Sequence, residues 1–162
     1  MADYAGVFVA GAPYGNATVD GHVSNTQRWV AGELRDLLAQ IIETGTPCIA
    51  TGTAMTILAE VLGGSVSNKY AQQPQVAEVT LTREGREDPL LAGIEEDFLA
   101  YVSHTESCDD VPPGAQRLAW TAECPVQISR AGENLYAVQF NPELGAEAIE
   151  RQLRRYAAAG DF

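Results

Sequence analysis

Up to Gly64 the chain mixes short unbroken apolar runs with stretches of helical spacing, and beyond it the apolar positions switch to a period of two. Ala5 to Ala10 is an apolar run that stops at Gly11-Ala12-Pro13, the pattern of a buried strand ending in a tight turn. Residues 14–26 are polar and rich in Gly, Asn and Thr, which reads as a loop. Ser24 stands three residues before Gln27, the spacing of a capping box that closes orphan amides at a helix start. Behind it Val30, Leu34, Leu37, Leu38 and Ile41 recur at helical spacing, and Gly45 and Pro47 end the helix. Pro47 to Thr51 predicts a short strand, Gly52-Thr53-Ala54 a sharp turn, and 53–62 a helix that stops at Gly63-Gly64.

Past Gly64, Gln75–Leu81 sets Val76, Glu78 and Thr80 against Ala77, Val79 and Leu81. Parts of 98–102, 115–121, 125–130 and 134–140 alternate in the same way, which predicts further strands. Polar turns such as Arg83-Glu84-Gly85 and Val111-Pro112-Pro113-Gly114 separate them. A last helix over 145–158 carries Glu147 with Arg151 and Glu150 with Arg154 as i,i+4 ion pairs. No repeat, low-complexity tract or linker interrupts the pattern, so the reading is one α/β domain over residues 1–162.

Charge narrows the partners. The chain has 22 acidic and 10 basic residues, a net of −12, and such a field repels nucleic-acid phosphates and anionic lipid. No apolar run approaches the roughly 20 residues of a membrane span, and the N-terminus lacks the form of a signal peptide. Cys48, Cys108 and Cys124 are odd in number and widely spaced, which favours reduced thiols in a cytoplasm over a disulfide framework. With only His22 and His104 and no CxxC, spacing draws no metal site, and no cofactor is expected.

The strand, small-residue turn and helix around Gly52 form the unit on which α/β enzymes commonly mount a nucleophile. Three segments then resemble the class I glutamine amidotransferase domain, in order and at similar separations. Tyr4 to Pro13 is similar to that family's strand ending in Gly-Gly-Pro. Thr46-Pro47 through Leu62-Gly63-Gly64 is similar to its elbow strand and helix. Cys124-Pro125-Val126-Gln127, followed by Ala137-Val138-Gln139-Phe140-Asn141-Pro142-Glu143, is similar to the signature ending in His-Pro-Glu. Ser103-His104 and Pro112-Pro113-Gly114 also fall where members carry similar residues. The Tyr-Ala-Gly strand, the long helix and the Ala-Gly-Asp-Phe ending further resemble a stand-alone, actinobacterial-type subgroup.

The resemblance implies a three-layer α/β fold, an open, mostly parallel sheet flanked by helices. It also implies a chemistry: an elbow cysteine attacks the glutamine side-chain amide, a histidine moves protons, and a glutamate two residues on orients the ring. Carried over residue by residue, the cysteine position falls on Gly52, the histidine position on Asn141, and the acid on Glu143. Both reacting groups are absent. The expectation is therefore a domain without glutaminase activity, serving as scaffold, regulatory subunit or small-ligand binder. Glycine relieves the strain of an elbow apex, and Asn141 is expected to be satisfied by Glu143 or by backbone.

Gly11, Ala12, Thr53, Ala54 and His104 are the candidate ligand-binding residues, with glutamine or a related molecule as the ligand. The alternative is an active amidohydrolase with a shifted nucleophile, Cys108 or Thr51/Thr53, and His104 as base. The family's opening β-α-β segment has no counterpart before Ala5, so the resemblance implies an N-terminally shortened sheet. A homo-oligomer or a partner chain is expected to cover the exposed region.

Overall fold

The computed structural model describes residues 4–12 and 23–159. The turn at Pro13, the 14–22 part of the expected loop and His22 lie outside the described residues. Among the described residues nine strands run β1 (Val7–Val9), β2 (Cys48–Thr51), β3 (Val66–Ser67), β4 (Gln72–Leu81), β5 (Asp97–His104), β6 (Ser107–Cys108), β7 (Ala115–Trp120), β8 (Ile128–Ala131) and β9 (Leu135–Val138). Four helices accompany them: α1 (Asn25–Thr44), α2 (Thr53–Val61), α3 (Arg83–Arg86) and α4 (Ala146–Ala159).

The capping box at the start of α1 is formed in both directions. Gln27 N donates to Ser24 Oγ at 3.2 Å, and Ser24 N donates to Gln27 Oε1 at 2.7 Å. Gly45 closes the other end in a left-handed conformation. Both expected pairs on α4 are present, Arg151 with Glu147 at 2.9 Å and Arg154 with Glu150 at 2.6 Å.

Seven strands make the main sheet in the order β1-β2-β9-β8-β7-β4-β5. The α/β class holds, but the parallel share is smaller than expected. Only β1, β2 and β9 run parallel; every pairing from β9 out to β5 is antiparallel. Connection length accounts for the β8–β9 pair, where residues 132–134 form a short turn, and short turns join antiparallel neighbours.

The sheet also curls. A flat sheet would hold β5 about 19 Å from β9, at ~4.8 Å per strand. Yet the ring of Phe98 on β5 meets that of Phe140, just past β9, edge to face at 6.2 Å.

Each face of the parallel strands packs its own core. On one face Cys48, Ala50 and Ala137 meet Leu38, Ile41, Met55, Ile57 and Leu58 from α1 and α2. On the other, Tyr136 and Val138 meet Val79, Leu81, Ala100, Leu118 and Ile128 from the curled wing. Helices cover one side of the elbow strand and antiparallel strands cover the other.

Two short features differ from the expected turns. Arg83–Arg86 is a helical turn capped by the Thr82 side chain, which accepts from Gly85 N at 3.0 Å. It lies so close to β7 that a methyl group on Gly85 would collide with the Leu118 carbonyl oxygen. β3 and β6 form a separate two-stranded ladder.

Candidate functional site

The site is built where β1 and β2 end side by side. Parallel pairing of Val9 with Ala50 brings Gly11 and Ala12 alongside the β2–α2 turn. Two threonine hydroxyls flanking Gly52 tie that segment down. Thr51 Oγ1 accepts from Gly11 N at 3.3 Å, and Thr53 Oγ1 donates to Ala12 O at 3.3 Å. β9 supplies the third wall. Gly52 N donates to Val138 O at 3.0 Å, and three residues further on Asn141 hangs over the turn.

Gly52 has φ 53° and ψ −124°, a conformation open to glycine and strained for anything larger. No described non-glycine residue has a positive φ. A β-carbon placed on Gly52 would point at the Asn141 carboxamide oxygen, 3.1 Å away, and would lie 3.3 Å from Gly11 Cα. One on Gly11 would meet the same oxygen at 3.3 Å. The geometry of an elbow apex is therefore kept, and the place where a nucleophile's side chain would start is crowded by Asn141 and Gly11. The carboxamide of residue 141 faces that space. Behind it α2 begins, and Met55 N and Thr56 N bond Gly52 O across its first turn.

Glu143 lies close by, but not as expected. Among the described residues no hydrogen bond joins it to Asn141. Its Oε1 accepts instead from Thr51 Oγ1 at 3.4 Å. Thr51 is fully buried and Glu143 is exposed, so the hydroxyl reaches out from the end of β2 to the rim. The structure thus brings Gly11, Ala12, Thr51, Gly52, Thr53, Ala54, Asn141 and Glu143 to one corner.

His104 makes its contact elsewhere. Its Nε2 hydrogen-bonds the Tyr70 carbonyl at 3.0 Å, and burial lowers its pKa to about 4, so the ring is neutral at pH 7. No hydrogen bond links it to the elbow residues or to Cys108 among the described residues. Cys108 is buried in the core against α2, and burial pushes its thiol up to about 12. Cys48, inside β2, is pushed up to about 11 for the same reason. Cys124 is also buried and shifted upward. A thiol in such surroundings carries almost no thiolate at neutral pH, and the thiolate is the nucleophile. Thr51 is sealed from solvent, and the Thr53 hydroxyl is spent on Ala12 O.

Sequence spacing missed the neighbours of Asn141. Tyr101 and Ser103 on β5, Phe140, Leu144, and Ile149 and Leu153 on α4 line a cleft that Asn141 borders. The one available signal was the i,i+4 pair Ile149 and Leu153 on an otherwise charged helix.

An elbow strand and helix, a β1 end stitched to it and an Asn-Pro-Glu segment across from it form one constellation. The family profile of class I glutamine amidotransferases matches residues 1–155. The chain belongs to this family. Among its relatives, a GMP synthase [glutamine-hydrolyzing] of Symbiobacterium thermophilum is 34% identical over 116 residues, 71% of this chain and 22% of that protein. One of Caldanaerobacter subterraneus subsp. tengcongensis is 32% identical over 106 residues, 65% of this chain and 20% of that protein. The chain thus spans about a fifth of these GMP synthases. A Haloarcula marismortui protein, named as one subunit of a GMP synthase [glutamine-hydrolyzing], is 29% identical over 120 residues, 70% of this chain and 62% of that protein.

Solved amidotransferase structures share the fold. One from Thermotoga maritima superposes with a TM-score of 0.75 at 19% identity, covering 98% of this chain and 65% of that one. Another, from Methylobacillus flagellatus, gives 0.72 at 16% identity, covering 98% and 58%. In this member of the family, glycine stands at the elbow and asparagine faces it. Among the described residues no helix is long and apolar enough to cross a membrane.

Proposed function

We propose that this chain is a class I amidotransferase domain that has lost glutaminase chemistry and keeps the elbow corner as a small-ligand pocket. The observation that carries the reading is the pairing of Gly52, in an apex conformation, with the Asn141 carboxamide at the position a base would take. Amide hydrolysis through a covalent intermediate needs a nucleophile at the apex and a base within reach of it. A glycine supplies neither sulfur nor hydroxyl, and a carboxamide takes up no proton near pH 7.

What remains suits binding. The first turn of α2 lies at the corner, Asn141 offers a donor and an acceptor, and Glu143 holds a carboxylate at the rim. Ammonia release from glutamine by the purified protein tests the reading. No release above the protein-free rate is expected. Release that survives replacement of Cys48 and Cys108 would overturn it. The Gly52→Cys, Asn141→His double variant should gain a thiol that alkylates rapidly at neutral pH if the corner still accepts the two side chains.

The same reading includes a partner. β1 is the outer strand of the sheet among the described residues, and Tyr4 and Phe8 on and beside it are exposed. The Haloarcula relative carries its matching region in a separate subunit, whereas the other two carry theirs within much longer chains. We assign this domain a scaffold or regulatory role toward a second chain, which is either another copy or a different protein. Light scattering at micromolar concentration checks the self-associating form, and a monomer there excludes it.

A further inference from the structure

The antiparallel wing has two faces, and only one of them is covered. Residues directly opposite one another on paired strands share a face. Ala77 with Ala100 and Val79 with Phe98 point toward the core, where Val79 is fully buried. The other face carries three rows: Val76 with Tyr101, Glu78 with Leu99, and Thr80 with both Asp97 and Trp120. An antiparallel sheet that faces water normally sets polar residues on its outer side. Here Leu99 is 71% exposed, Val76 61% and Trp120 40%, with Tyr101 half-buried beside them. Three strands thus bring four large apolar side chains to one solvent-facing surface.

Trp120 also borders a groove of about 210 Å³, whose other walls include Tyr70, Arg117 and Glu123. The two cations at this groove are engaged. Arg117 Nη2 reaches Asp110 Oδ1 at 2.6 Å, and the Lys69 ammonium lies 4.7 Å from the Tyr70 ring centroid. The carboxylates have no such partners. Glu78, Asp97 and Glu123 form no ion pair among the described residues. Asp97 accepts from Thr80 Oγ1 at 2.7 Å, and Glu123 accepts from the Gln72 and Gln75 amides at 3.0 and 2.7 Å. Those amide bonds hold Glu123 below the ordinary carboxylate pKa, so it stays charged.

The apolar strip therefore runs between negative charges that nothing neutralises, and this decides what can cover it. A second copy docking by the same face would set its own Glu78, Asp97 and Glu123 against these. Each chain also carries a net charge of −12. A partner that places arginine or lysine beside apolar residues meets both features. Its cations can pair with the carboxylates and lie on the Trp120 ring, while its apolar side chains cover Val76 and Leu99.

We propose that the outer face of β4, β5 and β7 docks a basic, apolar segment of a different protein. β5 ends the strand order opposite β1, so this is a second surface. The proposal rests on the reading that a second chain is present, names that chain's chemistry, and is independent of the chemistry at the elbow.

The test is a two-dimensional NMR titration of the full chain with short peptides of equal length. One alternates arginine with valine and tryptophan, one has serine in place of the apolar residues, and one has glutamate in place of arginine. The first should bind at roughly tens of micromolar, shifting signals of Val76, Leu99, Tyr101 and the Trp120 indole. The other two should bind at least about tenfold more weakly. The double variant Val76→Thr, Leu99→Thr keeps β-formers at exposed positions and should weaken the first peptide about fivefold or more. Glu78→Lys should weaken it by a similar factor. Trp29→Ser, at another exposed apolar site, should leave it unchanged.

A first peptide that fails to saturate by about 1 mM overturns the proposal. Equal affinity for the serine peptide overturns it by reducing the contact to bulk charge. Equal affinity for the glutamate peptide, or an affinity that moves in neither variant, overturns it as well. Shifts centred on Phe8 and β1 sink this surface while leaving the partnered reading in place. A wild-type dimer in light scattering that Leu99→Lys dissolves makes the occupant a second copy, against the proposal.

Discussion

Asp88, under the antiparallel wing, and Glu143, at the rim of the elbow, are carboxylates with opposite surroundings. Arg130 Nη1 reaches Asp88 Oδ2 at 2.6 Å, and Asp88 Oδ1 accepts from Tyr136 OH at 3.1 Å and Leu90 N at 2.9 Å. Asp88 is almost wholly buried, and both of its oxygens accept hydrogen bonds. Glu143 is exposed and accepts one long bond, at 3.4 Å from Thr51. A carboxylate that only joins strands must be fully paired, because burying it otherwise costs several kcal/mol. One left with unused lone pairs at a rim is free to meet something from solvent. Short, complete pairing therefore marks scaffold, and loose pairing marks the corner where a ligand is accommodated.

The largest expected effect is at Asp88. Asp88→Ala leaves Arg130 partly buried without a counter-charge and strips Tyr136 OH of its acceptor, so unfolding free energy should fall by roughly 3 kcal/mol. Urea titration measures it, and a loss below about 1 kcal/mol would erase the contrast with Glu143.

The wing also holds the pH-sensitive element. His104 protonates near 6.5 in the unfolded chain but only near 4 in the fold. Between those values the unfolded state binds more protons, so stability declines as pH falls from about 6.5 to about 4. The decline amounts to at most about 3 kcal/mol. Stability curves at intervals through that window should show the slope, and His104→Gln should flatten it.

At the elbow the costs are conformational. Gly52→Ala keeps an alanine at φ 53° and sets its methyl against the Asn141 oxygen, for about 1–3 kcal/mol. Adding Asn141→Ala should recover part of that loss and leave the backbone share. Full recovery would show that φ carries no cost there.

Smallest is Thr51→Val, which keeps the shape of a buried side chain and removes bonds of 3.3 and 3.4 Å. Less than about 1 kcal/mol is expected. A loss as large as that of Asp88→Ala would move Glu143 to the scaffold side of the comparison.

Much of the elbow half was legible in the sequence because its signals are local. Ser24 and Gln27 lie three apart, the helical spacing from Val30 to Ile41 covers one element, and the β2–α2 turn is contiguous. The family signature then located Gly52, Asn141 and Glu143. What escaped depends on distant parts of the chain. Asn141 was expected to lean on Glu143 or on backbone, but the hydroxyl that reaches Glu143 belongs to Thr51, ninety-two residues earlier.

The cleft draws Tyr101, Phe140 and Leu153 from three elements, and no periodicity links them. β3 and β6 have two residues each, too few for alternation to register. The Arg83–Arg86 turn is helical because Thr82 caps it and Gly85 fits against Leu118, a contact only the folded wing supplies.

The position of β9 has a consequence for how the molecule is made. It is the ninth strand in the chain yet lies between β2 and β8, and its Val138 carbonyl accepts the hydrogen bond from Gly52. A ribosome delivers residue 52 long before residue 138. During that interval the elbow strand has only β1 to pair with, and the apex conformation has no partner to hold it. The corner is then completed by an insertion late in synthesis, a long-range closure of the kind that slows folding. Its shape is set by the order of assembly: a turn made early in the nascent chain is locked only when β9 arrives.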